Sequence, residues 1–257
     1  MFKLRKPVFA LAILSPLVFA TPAWAGGVSF TADAVQTYPN GGAQRGKIFV
    51  ADEGIRFELI TGARRVVQIV LPAKKVTQVL FPDDKVFIEY PGAATLPTDR
   101  PSTPCQQSQG LKCEKIGTDK LGDSEAEKWK MAPEGAPSAI LMWWDPIRKM
   151  MLRQELPDGR VIQMTKMGSE DYQGRTVERW DTRYMMPSGQ MFSTVQLFDA
   201  KLGITVREAR PDGVMRLLRD IREVEADPAW FQIPEDYRKV EPTQKGSPAD
   251  AQEKPQR

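Results

Sequence analysis

The chain of 257 residues contains no histidine. That removes Ser-His and Cys-His nucleophile pairs, His-ligated zinc and the commonest general base. No GxSxG, Walker A or dinucleotide fingerprint occurs. Two cysteines are too few for an iron–sulfur cluster or a thiolate zinc site. The carboxylates are many but scattered beside turns or basic neighbours, so no glycosidase-type pair stands out, and nothing selects a Ser-Lys pair. These residue types argue against an enzyme and call for no metal or cofactor. The chemistry left to them is binding.

Methionine carries the main signal for binding. All ten methionines after Met1 lie from Met131 onward, with groups at Met150-Met151, Met164 and Met167, and Met185-Met186 with Met191. Met is flexible and polarizable, so it suits surfaces that accept varied apolar partners, although ordinary core filling is its commoner role. The hairpin RYMMPSGQMF is the sharper case. Tyr184, Met185, Met186, Met191 and Phe192 flank a Pro-Ser-Gly tip, where strands normally turn polar. Apolar tips of this kind mark the lip of a ligand cavity or a partner site.

These residues sit in a unit written twice. Glu127 precedes Trp129 as Glu178 precedes Trp180, and Trp144-Asp145 corresponds to Phe198-Asp199. Arg153 and Arg207 follow, then Pro157-Asp158-Gly159 and Pro211-Asp212-Gly213, twelve residues from Asp to Pro in both copies. Self-similarity of this kind marks repeated supersecondary units, here strand pairs spanning 122–167 and 174–221. Strand parity agrees across the 54-residue offset. Met150 and Leu152 match Ile204 and Val206 on one face, with Arg153 and Arg207 on the other. Val161 matches Met215, and Gln163 matches Leu217. Met150, Leu152, Val161, Ile204, Val206, Met215 and Leu217 are thus the candidate ligand-facing set, as one buried concave sheet face requires. The Pro-Asp-Gly triplets read as hairpin turns, because Asp bonds its own backbone and Gly accepts positive φ. Trp129 and Trp180 read as core or sheet-covering aromatics. Trp143 and Trp144 point to opposite faces of one strand.

The rest of the chain must position that face. From Val28 to Pro91, short runs rich in Val, Ile and Phe are divided by turns every eight to twelve residues, which predicts an antiparallel meander. The runs VVQIVL and VTQVLF are apolar on both faces and need cover on both. Residues 91–112 form a Pro-, Ser-, Thr- and Gln-rich excursion, either linker or functional loop, with one helical turn expected near Pro104–Ser108. Asp227-Pro228-Ala229-Trp230-Phe231 reads as a capped turn that docks two aromatics. The expected fold is mainly β: a curved antiparallel sheet of repeated meanders with few short helices, in one domain over 26–240. A tail at 241–257 has no apolar anchor and is expected to be disordered.

Residues 1–25 read as a cleaved signal peptide. Lys3, Arg5 and Lys6 precede a short apolar run, and Ala23-Trp24-Ala25 is an A-x-A site, with cleavage after Ala25. The apolar run is too short to span a membrane and no later stretch rivals it, so the expected product is periplasmic and not membrane-spanning. The chain has 36 basic and 33 acidic residues. Loss of the three leader cations balances it, which argues against nucleic acid as a partner. In an exported chain Cys105 and Cys113 are expected to form a disulfide, since a redox-active pair usually has CxxC spacing.

Four stretches carry a family resemblance: GKIFVADEGIRFEL, VVQIVLPAKKVTQVLFPDDKVFIEY, CEKIGTDKLGDSEAEKWKM and FQIPEDYRKV. They resemble the exported proteins with a LolA-like half-open β-barrel, the fold of the outer-membrane lipoprotein carrier. The resemblance implies a concave apolar cavity holding a lipid or a lipoprotein acyl chain. Alternatively it implies an envelope sensor or scaffold that binds another envelope protein, here through the Met-rich hairpin. The chain has no room for a long helix before the first strand and no counterpart of the carrier's lid arginine. No binding residue is therefore carried over.

Overall fold

The structure is a computed structural model and describes residues 28–61, 64–92, 102–107 and 110–241. The expected leader, half of the excursion at 91–112 and the expected tail beyond Glu241 lie outside the described residues. From the N-terminus the strands are β1 (Phe30–Thr37), β2 (Ala43–Ala51), β3 (Gly54–Thr61), β4 (Arg64–Leu71), β5 (Val76–Phe81) and β6 (Val86–Pro91). After a 3-10 turn at Pro104–Gln107 come β7 (Lys112–Leu121), β8 (Ser124–Ala132), β9 (Ile140–Asp145), β10 (Met150–Glu155) and β11 (Val161–Tyr172). The series ends with β12 (Arg175–Met185), β13 (Met191–Asp199), β14 (Ile204–Ala209), β15 (Met215–Glu223), a 3-10 turn at Pro228–Phe231 and β16 (Arg238–Lys239).

All the strands join one sheet in the order 16-6-5-4-3-2-1-15-14-13-12-11-10-9-8-7. Two meanders therefore meet where β1 pairs with β15, Phe30 opposite Glu223 and Val35 opposite Leu217. Every pairing is antiparallel except that of β16 with β6. The sheet does not close. β7 lies at one edge and β16 at the other, so the expected half-open barrel is an open, curved sheet. Edges invite unwanted pairing. β16 is two residues long, and β7 carries Lys112, Lys115 and Lys120 with a register shift between Lys115 and Gly117.

The sheet curls because its register slips at defined places. Shifts occur between Met151 and Arg153 and between Leu197 and Phe198, at matching points of the twin units, and between Lys166 and Gly168. A bulge bends its strand and increases the local twist. Strands β10 and β14 pair with β11 and β15 over only three residues each, starting at Arg153 and Arg207. The free ends of these hairpins fold over the neighbouring unit. Val177, Leu197, Ile204 and Val206 pack with Phe30, Ala34, Ile48, Val50 and Leu218. One unit further on, Ala126, Trp143, Met150 and Leu152 pack with Trp180 and Phe198. Val177 and Trp180 are three apart on β12 and so face opposite ways. Strands β12 and β13 are thus covered by β1, β2 and β15 on one side and by β8–β10 on the other.

The same logic applies to β4. Val70 enters the core shared with β1–β3, while Val67, Ile69 and Leu71 pack on the other side with Leu80 and Phe231. Phe231 belongs to the turn that follows Asp227, whose carboxylate accepts from the Ala229 amide at 2.9 Å. Trp230 lies against Phe49 with ring centroids 5.4 Å apart, and its carbonyl accepts from Arg56 Nη1 at 3.1 Å. The C-terminal segment therefore supplies the cover that the doubly apolar run VVQIVL demanded.

Four hairpin tips share one geometry. In each of Tyr38–Gly42, Leu156–Arg160, Met186–Gln190 and Arg210–Val214, the first residue's carbonyl accepts from the glycine three on. Its amide donates to the carbonyl four on, at 2.8–3.0 Å. Pro takes the second position, and Gly41, Gly159, Gly189 and Gly213 have φ of 83–85° or 78°. A type I turn followed by a left-handed residue needs that glycine.

Cys105 and Cys113 form a disulfide with Cα atoms 5.5 Å apart. It ties the 3-10 turn to edge strand β7. Replacing both cysteines by Ser removes the closure of a short loop and is expected to cost about 2–3 kcal/mol, read as a lower urea midpoint at unchanged slope.

Candidate functional site

The face of the sheet formed by alternate residues of β14, β15, β1, β2 and β3 carries two adjoining grooves. The larger, of about 720 Å³, runs between β1–β4 and the C-terminal segment at Pro234, Asp236 and Tyr237. Val35, Leu59, Ile60, Val66 and Val67 give it an apolar lining. The smaller, of about 440 Å³, is lined by Tyr172, Arg207, Met215 and Leu217, and the two share Arg219 and Asp220. A volume near 700 Å³ lies within the range of small-molecule sites.

Each wall has a structural cause. Strand β15 needs two residues, Asp220 and Ile221, to span what β1 spans with one, and Asp220 has φ 49°. That bulge frees the Leu218 carbonyl, which accepts from Tyr172 Oη and Gln173 Nε2, both at 2.9 Å. Gln173 Oε1 accepts in turn from the Asp220 amide at 3.2 Å. The β11–β12 tip is thereby fastened to β15 and closes the end of the smaller groove. Burial pushes the Tyr172 phenol up, opposed by Gln173 and by the nearby cations Arg207 and Arg219. At the far wall Lys85 pairs with Asp236 at 2.8 Å, and the Lys85 carbonyl accepts from the Arg238 amide. The Lys85–Asp236 hydrogen bond raises the lysine and lowers the carboxyl.

The structure divides the sequence-predicted ligand face. Met215 and Leu217 line the smaller groove. Met150, Leu152, Ile204 and Val206 are at most 4 % exposed and form the contact between overlapping units. Neither groove is lined by them. Val161 is half-buried, opposite Glu155 and Met185. The physical reason for the division is the pair of bulges at Leu152 and Val206, which bend β10 and β14 relative to their neighbours.

The hairpin residues stay together. Tyr184 sits opposite Phe192, and Met185 opposite Met191. Tyr184 is 40 % exposed, Met186 36 %, Met191 58 % and Phe192 39 %, while Met185 is half-buried. Burial and the nearby Glu208 push the Tyr184 phenol up, with Arg210 opposing. Trp143 and Trp144 are both buried. Trp143 Nε1 donates to Asp119 at 2.6 Å, with Lys128 Nζ 4.7 Å and the Arg153 guanidinium 5.4 Å from its ring.

Arg45, Lys47 and Arg219 were not picked out by the sequence reading. The available signal was faint: Arg45 and Lys47 lie two apart on a strand whose other face is apolar. Among the described residues no group of three His, Cys, Asp or Glu side chains could hold a metal, and no helix is long and apolar enough to cross a membrane.

No family model and no curated protein matches the chain. Among solved structures it is similar to a LolA superfamily protein from Nitrosomonas europaea, at 9% identity over 82% of this chain and 92% of that one, TM-score 0.39. It is also similar to an outer membrane lipoprotein-sorting protein domain from Vibrio parahaemolyticus, at 11% identity over 80% and 89%, TM-score 0.33. A DUF1329 family protein from Desulfovibrio piger matches at 9% identity over 81% and 90%, TM-score 0.35. Likeness at this level says nothing of what the chain binds.

Proposed function

We propose that the protein is an exported, non-enzymatic binding protein that holds a lipid-like, acyl-bearing ligand on this face of the sheet. The observation that supports the reading most directly is the 720 Å³ groove, whose lining includes Val35, Ile60, Val67 and Tyr237. Within that lining Ile60 is 61 % exposed, and an acyl chain laid on such surface recovers about 25 cal/mol per Å² covered. The placement of Met215 and Leu217 at the adjoining groove extends the same track. The test is to purify the mature protein, extract it with organic solvent and analyse the extract by mass spectrometry, with titration of a fluorescent fatty acid alongside. Co-purified lipid or saturable binding in the micromolar range is expected. A protein that carries no lipid and takes up no probe would defeat the proposal.

A second reading rests on a separate observation, the exposed hairpin tip. Tyr184, Met186, Met191 and Phe192 form an exposed apolar rim that lines neither groove, which suits an envelope protein as partner. Replacing Met186 and Met191 by Ser is then expected to abolish a co-purifying partner while leaving the thermal midpoint within about 2 °C, since exposed substitutions seldom change stability by more than about 0.5 kcal/mol. An unchanged pull-down would count against it.

A further inference from the structure

The two grooves meet at a frame of cations. On one row across the sheet, Arg207, Leu217, Val35 and Arg45 lie opposite one another on β14, β15, β1 and β2. On the next row Arg219, Asp33 and Lys47 do the same. Directly opposed residues share a face, neighbouring strands are about 4.8 Å apart, and alternate residues are about 7 Å apart along a strand. The frame therefore measures about 14 by 7 Å, with Val35 and Leu217 at its centre.

The other charges of the larger groove are already matched. Arg56 pairs with Glu58 at 2.8 Å, Arg65 with Asp83 at 3.6 Å and Lys85 with Asp236 at 2.8 Å. Arg45, Lys47, Arg207 and Arg219 form no ion pair and no side-chain hydrogen bond among the described residues. Against these four cations stand two carboxylates without an ion pair among the described residues, Asp33 and Asp220, while Glu58, opposite Lys47, is held by Arg56. Arg45, Lys47 and Arg219 are exposed and Arg207 is half-buried. A surplus of unmatched donors around an apolar centre is the arrangement that recognises an anion attached to a hydrocarbon.

We infer that the ligand is a single-chain anionic amphiphile. Its carboxylate or phosphate is held among Arg45, Lys47, Arg219 and Arg207, and its chain lies along Val35, Ile60 and Val67 towards Tyr237. This rests on the proposed lipid-binding function and adds the charge of the ligand and the residues that read it.

The experiment measures displacement of cis-parinaric acid from the purified protein by palmitate, lysophosphatidylglycerol, monopalmitoylglycerol and inorganic phosphate. Palmitate or lysophosphatidylglycerol is expected to compete at least tenfold better than neutral monopalmitoylglycerol, and the stronger of the two identifies the head group. In the Lys47→Gln/Arg219→Gln double variant, both anions are expected to lose roughly 10- to 100-fold, the size of one or two charge-assisted contacts. Monopalmitoylglycerol changes little, and Lys47→Arg alone keeps wild-type affinity. Both positions are exposed, and an unchanged circular dichroism spectrum checks folding of the variants. Equal competition by the neutral lipid, or an unaffected double variant, overturns the inference while the lipid-binding function stands. Displacement by inorganic phosphate as effective as by palmitate also overturns it, in favour of a free-anion site. Failure of every lipid to bind removes the proposed function itself.

Discussion

Asp199→Ala is expected to destabilise the protein by about 3–5 kcal/mol, because three donors lose one buried acceptor group. Asp199 is 2 % exposed. Its Oδ1 accepts from the Lys201 and Leu202 amides at 2.9 and 3.0 Å, and its Oδ2 from Arg175. The first two bonds hold the turn between β13 and β14, and the third anchors that turn to the start of β12. Arg175 would keep only Glu223, at 3.0 Å. Leu202, fully buried in the central core, would lose the amide contact that places it. Thermal unfolding should show a midpoint lower by about 10–15 °C for a domain of this size. Asp199→Asn should cost less, since one oxygen still accepts from the turn. A loss below about 1 kcal/mol for Asp199→Ala would show that the turn is held by its packing alone. Asp145 plays the same part in the other unit, accepting from the Ile147 and Arg148 amides at 2.9 Å and from Arg148 Nη1.

Trp180→Ala is expected to cost about 3–5 kcal/mol, against about 1–2 kcal/mol for Trp129→Ala at the corresponding place. Both indoles donate to the glutamate two residues before, at 3.1 Å to Glu178 and 3.2 Å to Glu127. Their surroundings differ. Trp180 is 2 % exposed beneath Ala126, Trp143, Met150 and Leu152, whereas Trp129 is only half-buried. The overlap of units explains the contrast: β8–β10 cover Trp180, but β7 and β8 end the sheet, and among the described residues no further strand lies beyond them to cover Trp129. Urea unfolding of the two variants measures the difference directly. Equal losses would mean that the overlap contributes little to stability. Trp180 does not line either groove, so Trp180→Ala protein kept folded at low temperature should still bind a fatty-acid probe.

Much of this was legible in the sequence because it is local. The alternation of Phe30, Ala32 and Ala34 marks the core face of β1, and all three are at most 4 % exposed. Pro157-Asp158-Gly159 and Pro211-Asp212-Gly213 mark hairpins because a type I turn with a left-handed glycine needs those residues at those places. Cys105 and Cys113 could be paired because two cysteines after a signal-like leader leave few alternatives. The ligand face was read differently. Matching Met150 and Leu152 to Ile204 and Val206 identifies equivalent residues, but parity alone does not reveal the bulges that place them between layers. The same holds for the charged frame. Arg45, Arg207 and Arg219 are spread along the chain and come within one face only through the β1–β15 pairing.

The sequence by itself determined that the chain is built of short strands, which residues turn it, and that one pattern of strands is used twice. Each of these follows from φ/ψ preference and side-chain alternation over a few residues. The tertiary structure alone decided that the two meanders join through β1 and β15, that hairpin ends fold over their neighbours, and that four cations gather around Val35 and Leu217. Those are relations between residues far apart in the chain, set by which faces can be buried together. A period-two pattern says that a face is apolar; it does not say what will cover it.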